Sequence, residues 1–224
     1  MDRPNSARGD VPAQASAISA YGLAEYGAAW AASDRVLIAV HGRDRESDEL
    51  AIGFLSQPIS RVTRTVAPYA AGKSWYGGRY DAPRAENAEA VEAGLGLIDA
   101  AFARAAENGI AASNVVLAGF SQGGCMVAEY LLGGRRRPGA AAIFTGSALD
   151  VARRGARVDL TGLPVVLSGG DGDPWLPVGD LEATGALLEA AGGDVRLHIF
   201  PDGDHVVRDR EMKLLGQLVE GVAA

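Results

Sequence analysis

The chain has 224 residues, of which 48% are hydrophobic and 22% charged, with a formal net charge of −7. This length suits one α/β domain with a substantial core, and the composition excludes a disordered chain. The acidic balance argues against a nucleic-acid partner, because phosphate binding needs a basic footprint.

Residues 1–15 mix Asp2, Arg3, Pro4, Arg8, Gly9, Asp10 and Pro12 without the apolar centre of a signal peptide, and are expected as a flexible tail. Residues 16–224 then form one domain, and no apolar run approaches the ~20 residues that span a bilayer. A cytoplasmic protein is the expectation. Arg35–Val40 is an apolar run ending at His41-Gly42, as a buried strand does. Residues 47–55 read as a helix behind Glu46, Asp48 and Glu49, whose charges suit a helix N-terminus. Residues 61–67 read as the next strand, with Val62 and Val66 apolar and Pro68 as the stop. A long loop to Pro83 is rich in glycine and carries Tyr69, Trp75, Tyr76 and Tyr80. Residues 84–108 place Val91, Leu95, Ile98 and Phe102 at three- and four-residue steps, an amphipathic helix ending near Gly109. Further strands are expected at 114–118, 140–145, 164–168 and 195–200, with helices at 124–132, 178–191 and 206–222. Alternating strands and helices imply a mostly parallel sheet covered on both faces. Arg135-Arg136-Arg137 and Arg153-Arg154 read as solvated helix ends or loops. The single cysteine, Cys125, excludes an internal disulfide and reads as core.

The chemistry is carried by Gly119-Phe120-Ser121-Gln122-Gly123, set between an apolar strand and a helix. Strand, Gly-x-Ser-x-Gly, helix is the nucleophile elbow of α/β-hydrolases. The turn holds its serine in a strained conformation, so both flanking positions need a residue with almost no side chain. A serine hydroxyl needs a base to take its proton, and that base needs a third group to hold it. In this fold the chain order is serine, acid, histidine. Of the three histidines, His41 precedes Ser121 and braces a loop, and His198 lies inside a strand. His205 follows the last strand through Pro201-Asp202-Gly203-Asp204 and is the base candidate. The acid should follow the preceding strand, where Asp171 and Asp173 both lie; Asp173 is favoured because Pro174 rigidifies its turn. The oxyanion donors expected are the backbone N–H groups of Gln122 and of Arg43. Three scattered histidines show no metal-ligand spacing.

The stretches Val40-His41-Gly42-Arg43, Gly72-Lys73-Ser74-Trp75-Tyr76, Gly119 to Gly124, Asp171-Gly172-Asp173-Pro174-Trp175-Leu176-Pro177 and Gly203-Asp204-His205 resemble the phospholipase/carboxylesterase family, whose best-known members are acyl-protein thioesterases. The resemblance runs from about residue 33 to the C-terminus. It implies a single-domain α/β-hydrolase fold without a large cap domain, and a serine carboxylesterase of the Ser121–Asp173–His205 type that needs no cofactor. The same machinery serves an acyl-thioesterase or lysophospholipase, and the fold also hosts non-hydrolytic receptors and cyclases. The chain departs from the family in carrying Asp44 in the oxyanion loop, Gly124 after the elbow and the bulky Trp175 after the Asp-Pro pair. Trp75 and Tyr76, with Trp175, are candidates for substrate contact; Trp75 and Tyr76 either wall the substrate site or pin the long loop. The partner expected is a small-molecule ester or thioester, and an apolar patch around an open site is compatible with a homodimer.

Overall fold

The computed structural model describes residues 22–45 and 49–222. The expected tail at residues 1–15 and the helix start at Glu46 to Asp48 lie outside the described residues. In chain order the elements are β1 (Leu23–Gly27), β2 (Arg35–Val40), α1 (Glu49–Phe54), β3 (Thr63–Pro68), α2 (Ala88–Glu107), β4 (Val115–Phe120), α3 (Gln122–Leu132), β5 (Ala140–Phe144), β6 (Pro164–Gly170), α4 (Val178–Ala190), β7 (Asp194–Phe200) and α5 (Asp209–Gly221). The strands form one sheet in the order β1-β3-β2-β4-β5-β6-β7. All neighbours pair in parallel except β1, which runs antiparallel to β3 at one edge.

Side chains alternate across the sheet, as strand geometry requires, and this alternation builds two cores. Val36, Ile38, Val115, Leu117, Ile143 and Leu167 face one side, under α2, α3 and α4. Leu37, Ala39, Val116, Ala118, Ala142 and Phe144 face the other, under α1 and α5. Every residue of α3 is buried, so this helix is enclosed in the body of the protein. The residue between β4 and α3 thus sits at the middle of the sheet, ahead of a fully buried helix.

Several elements depart from the sequence reading; the helix expected from residue 84, for example, begins at Ala88 after a 3-10 turn over Arg84–Asn87. β1 was not expected; it is short and gains its ladder only by pairing with β3. The strand expected from residue 61 begins at Thr63, and Val62 ends a 3-10 turn started by Pro58, with 43% of its surface exposed. That turn is tied by Thr63 Oγ1, which donates to Ile59 O at 2.8 Å. The closing helix starts at Asp209, not Val206, because Glu211 reaches back to accept from the Arg208 N–H at 2.6 Å.

Candidate active site

The carboxyl ends of β2, β4, β5, β6 and β7 meet at one edge of the sheet, the edge where parallel α/β sheets gather ligands. Ser121 sits between β4 and α3 with φ 54° and ψ −120°, a conformation costly for a side-chain-bearing residue. Its N–H donates to Phe144 O at 2.9 Å. The flanking glycines are required by space: a Cβ on Gly119 would lie 2.3 Å from Gly123 O, and one on Gly123 would lie 2.2 Å from Val40 O. Two further left-handed residues, Asp44 after β2 and Thr145 after β5, lie beside Ser121 along the same cleft. Strain thus collects at the ends of three adjacent strands.

Ser121 Oγ is 2.8 Å from His205 Nε2, and His205 Nδ1 is 2.8 Å from Asp173 Oδ2. An ionised carboxylate only accepts, so Nδ1 carries the proton and Nε2 is left to accept from the hydroxyl. Asp173 is held in turn: its Oδ1 accepts from the Trp175 N–H at 2.8 Å and the Leu176 N–H at 3.1 Å. Asp173, rather than the exposed Asp171, meets His205. The loop that carries His205 is clamped from both sides. Arg208 bonds Asp202 and donates to Asp204 O, while Arg45 donates to His205 O at 3.2 Å. A hydroxyl facing an imidazole that a buried carboxylate orients is placed to lose its proton to that imidazole.

Gln122 begins α3, where the first N–H groups have no intrahelical acceptor. Among the described residues neither the Gln122 nor the Arg43 N–H meets a protein acceptor, and both residues line the cleft beside Ser121. The Gln122 side chain has a task the sequence did not reveal. Its Oε1 accepts from the Trp75 N–H at 2.9 Å and its Nε2 donates to Tyr76 O at 2.8 Å, fastening the long loop to the elbow helix. His41 braces the other side, accepting from the Ala70 N–H through Nε2 at 3.1 Å, with Nδ1 2.8 Å from Gly42 O.

The cleft measures about 380 Å³. Arg43, Asp44, Arg45, Tyr76, Arg79, Tyr80, Cys125, Thr145, Trp175 and Leu176 line it with Ser121, Gln122 and His205. Trp75 lies elsewhere than a substrate wall requires. It is 3% exposed, packs with Met126 and α2, and donates from Nε1 to His41 O at 2.8 Å, so it pins the loop. Tyr76 does line the cleft, although 3% exposed, together with Cys125. Burial pushes the Tyr76 hydroxyl and the Cys125 thiol both upward, so both stay protonated. Trp175 stands at the mouth, 70% exposed. Arg79, Tyr80, Thr145 and Leu176 also line the cleft and were not singled out from the sequence; for Thr145 the available signal was a polar residue directly after the strand Ala140–Phe144, beside the nucleophile strand.

Among the described residues no group of three or more His, Cys, Asp or Glu is arranged to hold a metal ion, and no helix is long and apolar enough to cross a membrane.

A family model described as phospholipase/carboxylesterase matches residues 63–221. A crystal structure of a phospholipase/carboxylesterase from Dyadobacter fermentans superposes with a TM-score of 0.78 at 26% identity, over 88% of this chain and 95% of that one. Esterase PE8 superposes at 0.70 with 24% identity, over 88% of this chain and 97% of its own. A Bacillus cereus carboxylesterase superposes at 0.71 with 18% identity, over 89% and 93%. At those lower identities the last two speak for the fold alone. No curated protein sequence matches the chain significantly. With a seven-stranded, mostly parallel sheet and a family match over most of its length, the chain belongs to the phospholipase/carboxylesterase family of α/β-hydrolases.

Proposed function

We propose that the chain is a serine carboxylesterase in which Ser121 is the nucleophile, His205 the general base and acid, and Asp173 the group that orients the imidazole. The observation that carries this reading is the unbroken pair of 2.8 Å contacts from Ser121 Oγ through His205 to Asp173. In the first half-reaction His205 Nε2 takes the hydroxyl proton as Oγ bonds to the ester carbonyl carbon. The Gln122 and Arg43 N–H groups hold the resulting oxyanion, each worth about 10²–10³ in kcat by analogy with single donors elsewhere. Asp173 stabilises the imidazolium, which then gives its proton to the departing alcohol oxygen. In the second half-reaction water loses a proton to His205, attacks the acyl-serine carbonyl, and releases the acid while Oγ regains its proton.

The test is steady-state hydrolysis of 4-nitrophenyl acetate by wild type and Ser121→Ala. The expected loss in kcat is roughly 10⁵–10⁶-fold, the scale seen when a triad member is removed. Turnover by Ser121→Ala within about tenfold of wild type would contradict the assignment.

A further inference from the structure

The geometry points to substrates that carry an oxyanion of their own, a carboxylate or a phosphate group, with the guanidinium of Arg43 as its principal contact. The inference rests on the esterase reading and names the class of ester that reading leaves open. Three guanidiniums and one carboxylate from separate segments converge on the cleft: Arg43, Asp44 and Arg45 after β2, and Arg79 from the loop before α2. Guanidiniums thus gather here on a chain of net charge −7.

The three arginines differ in how far their charge is already met. Arg79 makes two bonds to Asp81, at 2.8 and 2.7 Å. Arg45 lies 3.3 Å from Glu49 in an exposed pair. Arg43 meets no carboxylate among the described residues. Its Nη2 donates to Tyr76 O at 2.8 Å and Gly78 O at 2.7 Å, and its guanidinium lies 5.7 Å from the centre of the Tyr76 ring. Two carbonyls and an aromatic face hold the fork in place with no carboxylate bonded to it among the described residues, and a held fork matches an oxyanion with little ordering cost. A second observation lies at the floor of the same cleft. Thr145 is 2% exposed and its hydroxyl has no hydrogen-bond partner among the described residues, a costly state that a polar substrate group relieves. Tyr76 and Cys125 line the same cleft.

The test compares kcat/KM on matched esters. On the leaving-group side these are 4-acetoxybenzoate and 4-acetoxyphenyl phosphate against neutral methyl 4-acetoxybenzoate; on the acyl side, ethyl hydrogen adipate against ethyl hexanoate. At least one anionic ester is expected to be preferred roughly tenfold or more, the size of a charge-assisted hydrogen bond. Which one is preferred identifies the anion and its side. In Arg43→Gln the preference should collapse, chiefly through KM, and Arg43→Lys should keep part of it. Asp44→Asn, which suits the left-handed backbone there, should raise the preference, and added salt should lower it. Anionic esters at or below their neutral partners, or an undiminished preference in Arg43→Gln, would overturn the inference while leaving the esterase reading intact. Neutral-ester turnover that survives Ser121→Ala, or no turnover of any ester, would overturn the esterase reading instead.

Discussion

Two groups of arginines sit at opposite parts of the sheet and have opposite fates. At the β1 edge, Arg64 and Arg104 both end on Glu25, with Arg104 Nε 2.8 Å from its Oε1. The Trp30 ring centre is 5.4 and 5.3 Å from the two guanidiniums, and its Nε1 donates to the same carboxylate at 3.0 Å. Both guanidiniums there are bonded to a carboxylate, Arg104 also lying 3.5 Å from Glu107, and the product is an anchored edge strand. In the cleft, Arg43 ends on carbonyls and an aromatic face, with no carboxylate bonded to it among the described residues. Arginine clusters alone do not mark a site; what distinguishes them is whether a carboxylate already closes the pair.

This contrast can be broken by substitution. Glu25→Gln strands two guanidiniums in a half-buried place, and should lower unfolding stability by about 1–2 kcal/mol in urea titrations. It should leave the preference between anionic and neutral esters where it is. Arg43→Gln should do the reverse, changing stability by less than about 1 kcal/mol while removing the preference. If both substitutions move both readouts alike, the distinction between the two clusters fails.

A smaller effect sharpens the same contrast through pH. Burial pushes the Glu25 carboxyl up, but hydrogen bonds from Arg104, Arg64 and Trp30 outweigh it and hold its pKa below the ordinary value. A lowered carboxyl pKa means the unfolded chain binds the proton more readily. The stabilisation is therefore complete above the ordinary glutamate range and is lost as pH falls through the depressed value. The stability gap between wild type and Glu25→Gln should narrow as the medium is taken from neutral to strongly acid. A gap that stays constant over that range would show that the carboxylate charge is not what the cluster uses.

The grouping of Ser121, Asp173 and His205 was legible because each stands at a chemically marked turn: the two small glycines, the Asp-Pro pair, and the only histidine after the last strand. Strand edges were harder. Leu23-Ala24-Glu25-Tyr26-Gly27 has little pattern of its own, and its place depends on pairing with residues 64–68, distant in sequence. Trp75 was ambiguous because an aromatic residue in a long loop suits either a pocket wall or a peg. The deciding mark was on another element: a Cβ on Gly94 of α2 would lie 3.0 Å from the Trp75 ring and 2.8 Å from Met126, so a glycine in mid-helix makes the socket. The runs Arg135–137 and Arg153–154 drew notice as sequence. In the structure Arg135 bonds Asp99 and Glu92, and Arg154 bonds the buried Glu129. Of the arginines in the cleft, Arg43 and Arg45 follow β2 and Arg79 comes from the loop after β3, so the fold alone brings the two segments together.

The central claim, that Ser121 is the nucleophile, is tested most directly by mapping a fluorophosphonate adduct on the intact chain by peptide mass spectrometry. The expected result is one adduct, on the peptide containing Ser121, formed as ester turnover is lost. An adduct on a different residue, or ester turnover that continues after Ser121 is fully labelled, would contradict the claim.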